Sequence, residues 1–155
     1  MTDATPPTFD ADDFMARYRA YEERASALHP ANKAALFAAL AATGITSVTV
    51  TFDGYGDSGQ IEGFAAKAGD SDAELPDTPV ELAGTSFGSD EIVRTTNPLP
   101  DAIEAFCYRV LESKHGGWEN NEGAYGEFVL DVVAGTVEFD FNYRIETSEN
   151  HFYEL

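Results

Sequence analysis

The sequence predicts an α+β domain: a small antiparallel sheet of two hairpins with three helices packed on one face. The expected order is helix, helix, hairpin, helix, hairpin. Two patterns of period predict it. Apolar residues recur every three or four positions in 14–28, 36–40 and 99–110, and at every second position in 48–52 and 128–145. The third observation is size. At 155 residues, 43% hydrophobic and with 11 Phe and 7 Tyr, the chain suits one domain with a substantial core. Residues 1–8, with Pro6 and Pro7, read as a flexible tail, and 9–155 as the domain.

The first helix has Asp10 as N-cap, and Asp12 and Asp13 in a first turn that favours carboxylates. Phe14, Tyr18, Tyr21, Ala25 and Leu28 form its apolar face, and His29-Pro30 interrupts it, because the residue before proline avoids helical angles. Leu36, Phe37 and Leu40 mark a second helix that stops at Gly44, with Ile45 packing back on the last turn. In Val48–Phe52 apolar residues alternate with threonines, which reads as a half-buried strand. Asp53–Gly59 is dense in turn formers, and residues 60–67 return as the second strand of the hairpin.

Residues 68–100 read as an acidic, proline-containing loop region with at most a short strand near 80–82. Seven acids and no Lys or Arg lie in 68–91. Pro98, Pro100 and Asp101 introduce a third helix with Leu99, Ile103, Phe106 and Val110 on its buried stripe, ended by Gly116-Gly117. A two-residue turn at Ala134-Gly135 then joins the last two strands. It pairs Val132 with Val137, Leu130 with Phe139 and Phe128 with Phe141, which makes one face wholly apolar. The same register sets Asp131 opposite Glu138, with Glu127 and Asp140 on that outer side. Like charges placed so destabilise a sheet by a few tenths of a kcal/mol to about 1.

Charge narrows the function. Asp plus Glu number 28 against 9 Lys plus Arg, for a net charge of −19, so direct binding to nucleic acid or an anionic membrane is disfavoured. One cysteine, Cys107, excludes an intramolecular disulfide framework and a cysteine-cluster zinc site. No apolar run approaches the ~20 residues of a membrane span, and a cytoplasmic setting is expected. The acidity itself has two sources to weigh: salt adaptation, with only three lysines, or a surface that imitates nucleic-acid phosphates.

Two glycine-rich loops carry the other candidates. The first, Gly54–Gly59, contains a Gly-Asp-Ser-Gly core like that around the nucleophile of trypsin-like proteases. None of His29, His115 or His151 sits in a partner motif for it. An EF-hand fails as well, since Tyr55 and Phe64 occupy ligand positions, and no Gly-Lys-Ser/Thr follows for a phosphate loop. The second loop, His115–Tyr125, holds Trp118, Glu119, Asn121 and Glu122. If it lies near Tyr55 and Asp57, the two form one composite site. Otherwise Trp118 plugs the edge of the core and the glycines shape turns.

Three passages, NKAALFAALAATGI (32–45), VTVTFDGYGDSGQIE (48–62) and GWENNEGAYGEFVLDV (117–132), resemble a family of small acidic bacterial proteins known only as a domain of unknown function. The resemblance runs from about residue 30 onward. It implies one domain containing both glycine-rich loops and the last hairpin, with the first helix a separate addition, and it implies no activity or cofactor.

The expected function is a non-enzymatic interaction protein that binds a basic protein surface, in its sharpest form a nucleic-acid-mimicking inhibitor of a nucleic-acid-binding protein. Glu127, Asp131, Glu138 and Asp140 of the outer sheet face and the acidic loop 68–91 would carry it, together with Trp118, Glu119, Asn121, Glu122, Tyr55 and Asp57. No catalytic residue, metal or cofactor is expected. The alternatives are a subunit of a larger assembly, or a small enzyme using Asp57, Ser58, Trp118, Glu119 and Glu122 in a pocket between the loops.

Overall fold

The computed structural model describes residues 10–55, 58–120 and 122–155. Along them run α1 (Ala11–Ala42), β1 (Ser47–Tyr55), β2 (Ser58–Ala68), β3 (Ser71–Ala73), β4 (Pro79–Thr85), β5 (Ile92–Pro98), α2 (Leu99–His115), β6 (Ala124–Asp131) and β7 (Thr136–Tyr143). Five strands form an antiparallel sheet in the order β3-β2-β1-β6-β7, while β4 and β5 pair as a separate two-stranded sheet.

One apolar cluster holds these pieces together. Val48, Val50 and Phe52 of β1 and Phe128 and Leu130 of β6 pack with Leu36 and Leu40 of α1 and with Ile103, Phe106 and Leu111 of α2. Burying each such side chain stabilises the fold by about 1.5–3 kcal/mol relative to exposure. A bulge near Thr51/Phe52 shifts the β1–β2 register, so that Phe64 pairs with Val50 and Ile61 with Phe52. Without the extra residue, strict alternation would turn one of those two apolar side chains outward. Cys107 lies buried in the same cluster, and that burial, with the charge of Glu104, pushes its thiol pKa far up. It is a packing residue.

The α+β class holds, but the expected two-hairpin sheet and three helices do not. The first two helices are one, since α1 runs through Pro30 without ending. Proline removes one hydrogen bond and clashes with the preceding turn, at a cost near 3 kcal/mol in a helix interior. Tertiary contacts on both sides of Pro30 offset that cost. His29 stacks on Phe106 with ring centroids 5.0 Å apart, and buried Asn32 forms two hydrogen bonds to β4. Its Nδ2 donates to the Ala83 carbonyl at 2.9 Å, and its Oδ1 accepts from the Ala83 N–H at 2.8 Å. Arg109 on α2 donates to the same carbonyl at 2.6 Å.

Those bonds also explain why 68–100 is not simply a loop. β4 and β5 pair with each other outside the main sheet, and α1 and α2 anchor β4 through the backbone of Ala83. The acids of this stretch are compatible with strands because they project at the surface, where Glu81 faces Arg94 at 3.5 Å and Asp90 faces Arg24 at 3.4 Å. Only the Val80–Leu82 part showed a strand pattern, and it lies inside β4.

The last hairpin differs in register. Leu130 pairs with Val137 and Phe128 with Phe139, two residues away from the expected partners. The turn is wider than two residues: Gly135 adopts φ +71° and its N–H donates to the Asp131 carbonyl at 2.8 Å. The Asp131 carboxylate accepts the Ala134 N–H at 3.0 Å and so closes the turn. Because the shift is two, each side chain keeps its expected face. The predicted stop of the second helix is present as drawn, with Gly44 at φ +79° and the Ile45 N–H bonded to the Leu40 carbonyl.

Two outcomes are expected from this packing. Asn32→Ala leaves a buried N–H on β4 without an acceptor and should lower unfolding free energy by about 2 kcal/mol in urea titrations. A loss below about 0.5 kcal/mol would show that the clamp contributes little. Separately, partial burial together with Lys33 and Lys114 lowers the His29 pKa from its usual 6.5. The unfolded chain therefore binds that proton more tightly, so His29 contributes stability that is full above about pH 6.5 and lost as pH falls below it. Wild type should lose more stability than His29→Gln between about pH 7.5 and pH 5.5, and parallel curves would refute the assignment.

Candidate functional site

The two glycine-rich loops meet. Gly54 and Gly59 are cross-strand partners at the end of the β1–β2 hairpin, and the indole of Trp118 lies against both. A Cβ added at Gly54 would stand 2.6 Å from Trp118 Cζ3, and one at Gly59 would stand 2.6 Å from Cη2. Glycine at both positions is what lets the ring approach. Trp118 is only 2% exposed and meets Phe52 edge-on, with centroids 5.5 Å apart. The indole therefore fills the space between the loops, and the tryptophan is a core plug that locks the hairpin to the α2–β6 connection.

Of the other loop residues, Tyr55 is 75% exposed at the end of β1, and Glu122 is exposed. Glu119 packs its Cβ side over Gly59 and holds one carboxylate oxygen, Oε2, buried without a hydrogen-bond partner among the described residues. Asp57 and Asn121 lie outside the described residues, as does the side chain of Ser58. The concavity of about 270 Å³ found elsewhere is lined by Phe64, Ala66, Ala73, Glu74, Leu75 and Pro100, and none of these comes from the two loops. Among the described residues no group of three or more His, Cys, Asp or Glu is placed to hold a metal ion. Nor is any helix there long and apolar enough to cross a membrane.

Arg144, which the sequence reading did not single out, organises this end of the molecule. It is the only Lys or Arg in residues 119–155, against nine acids. Its guanidinium donates to the Gly54 carbonyl at 2.8 Å and the Ala124 carbonyl at 3.3 Å, and pairs with Asp53 at 2.8 Å. It also lies over the ring of Tyr125, 4.8 Å from the centroid. One cation thus ties β1, β6 and the end of β7 together. The signal for it was present, as a lone base in a strongly acidic stretch, but two of its partners, Asp53 and Gly54, lie far away in sequence on β1.

The outer face of β6 and β7 keeps its acids. Glu127 stands directly across from Asp140, Glu138 is across from Val129, and Asp131 is across from Thr136. The expected Asp131–Glu138 opposition is thus replaced by Glu127–Asp140, through the same two-residue shift. Among the described residues none of these four carboxylates forms an ion pair, and Glu138 and Asp140 are exposed. On the neighbouring strand the flanking positions are Thr51, beside Glu127, and Thr49, beside Val129. The face is therefore a ridge of carboxylates bordered by threonine hydroxyls.

No curated protein and no solved structure matches the chain. A family described as one of unknown function, DUF6878, matches residues 28–155, which takes in both glycine-rich loops, Asn32, Arg144 and the acidic hairpin, and leaves out the first half of α1. The chain belongs to the DUF6878 family of unknown function.

Proposed function

We propose that the protein is a non-enzymatic interaction module that presents the acidic outer face of β6 and β7 to a basic protein surface. One observation carries the reading. Glu127 and Asp140 oppose each other across the ladder, with Glu138 next along, while the only Lys or Arg of residues 119–155, Arg144, is engaged with Asp53 and the carbonyls of Gly54 and Ala124. Like charges in such positions cost the monomer stability. A cationic partner removes that cost on binding and gains charge-assisted hydrogen bonds. Asp131 belongs to this face by position, but its carboxylate is engaged in the turn, so Glu127, Glu138 and Asp140 are the binding groups.

The nucleic-acid-mimicking form of the reading draws on spacing. Glu138 and Asp140 are two residues apart on one strand face, about 7 Å, and so present regularly spaced negative charge at an exposed edge strand. The acids of 68–91 contribute less, because Glu81 and Asp90 already face arginines of this chain. An enzyme between the loops is the weaker alternative, since Trp118 fills that space.

The test has two arms. Glu127→Gln, by relieving the opposition, should raise unfolding free energy by a few tenths of a kcal/mol up to about 1. The triple variant Glu127→Gln/Glu138→Gln/Asp140→Asn, used as bait in a host lysate, should lose a basic protein that wild type retains at low salt and releases at high salt. Adding duplex DNA to the wild-type bait should displace that protein if the face imitates nucleic acid. Retention of the same proteins by wild type and the triple variant, with no salt release, would eliminate the proposal.

A further inference from the structure

α1 begins as a helix in solvent. Every residue from Ala11 to Arg19 is exposed, although a helical stretch of that length is marginal in water on its own. Its apolar stripe, Phe14, Tyr18, Tyr21, Ala25 and Leu28, alternates spacings of four and three, which is a heptad seam. The chain covers that seam in part. Phe87, between β4 and β5, sets its ring 5.5 Å from Phe14, 6.0 Å from Tyr18 and 6.1 Å from Tyr21. Even so, Phe14 stays 37% exposed, Tyr18 41% and Phe87 44%. We propose that this seam joins two copies of the chain, with their α1 helices parallel and in register.

The flanking charges identify the occupant. With Tyr18 and Ala25 at heptad position a, and Phe14, Tyr21 and Leu28 at d, Arg17 falls at g and Glu22 at e. In a parallel pair a g residue faces the e residue five positions on in the other helix. Arg17 of each copy then meets Glu22 of the second copy, twice by symmetry. An antiparallel pair would set g against g, bringing Arg17 toward Arg24. Residues 14–28 also carry three arginines against two glutamates, in a chain of net charge −19, so the seam itself does not concentrate negative charge. In the single chain Arg17 pairs with Asp13 at 2.7 Å with both side chains largely exposed, a contact of little energy that dimerisation can replace.

The seam has a defined end. The next heptad position after Leu28 is Asn32, which is buried against Ala83 and belongs to the domain core. The family match begins at residue 28, so all of the seam but Leu28 lies outside the matched residues, and the seam is separate from the acidic face proposed above.

Sedimentation equilibrium of the full chain, up to about 100 μM so that micromolar association is populated, should give twice the 16.8 kDa chain mass. Tyr18→Asp should return the monomer with an unchanged circular dichroism spectrum. Arg17→Glu should weaken the dimer by about tenfold or more, and Arg17→Glu/Glu22→Arg should restore it to within about threefold. Tyr21→Cys should give a covalent dimer on mild oxidation, because d positions face each other in a parallel pair and the native Cys107 is buried. A monomer mass at every concentration would overturn the proposal. So would a dimer indifferent to Arg17→Glu, or an intact dimer that Tyr21→Cys fails to cross-link.

Discussion

The guanidinium of Arg144 is the contact on which the C-terminal half of the molecule turns. It satisfies carbonyls at the ends of β1 and β6, balances Asp53, and covers the face of Tyr125. A planar group with several donors in fixed directions is suited to such a junction, and a lysine would supply one point charge instead. Its engagement there has an electrostatic consequence. The surrounding acids receive no compensation from their own segment, so the field of the outer face remains that of its carboxylates.

A second polar contact does comparable work at the other end. Asn32 bonds both the N–H and the carbonyl of Ala83, so its amide acts as a one-residue extension of the ladder for β4. The separate β4–β5 sheet is thereby joined to α1 without entering the main sheet. Such a contact is directional in a way that apolar packing is not, and it sets where along α1 the small sheet sits. The helix in turn remains continuous past Pro30 because both flanks are held.

What the sequence made legible follows from the range of the forces involved. Periodicity reports which side of an element is buried, so the faces of β1, β6, β7 and α2 could be read directly, and the cap at Gly44 is chemistry confined to a few residues. The partner of β7 was misjudged by two positions because Ala134-Gly135 reads as a complete two-residue turn, whereas the Asp131 side chain closes a wider one over residues 132–135. Pro30 misled for a related reason: its local preference is real, but contacts from Phe106 and Ala83, more than fifty residues away, override it. The strands within 68–100 were hidden because β3 pairs with β2 and β4 with β5 across an acidic, proline-bearing stretch, while Asn32 and Arg109 hold β4 through Ala83 alone. Of the candidate site, the meeting of the two loops was anticipated as a possibility, while the role of Trp118 as the filler between them needed coordinates. Arg144 stood out only as a lone base, and its role as a hub needed coordinates, since its partners lie on two strands, β1 and β6, distant in sequence from each other.

A proline within a helix is often a place where the axis bends or yields. Here α1 is one element of 32 residues, and its exposed first half is continuous with the half that is bolted into the core. From Ala11 to Leu28 the axis extends about 25 Å at the usual rise per residue. Two chains joined through that segment would hold their carboxylate ridges at a set distance and angle, without a flexible tether between them. Recognition would then depend on geometry as well as on charge, because only a target whose two cationic patches match that span gains the effective concentration of a second engagement. The helix would serve as a ruler.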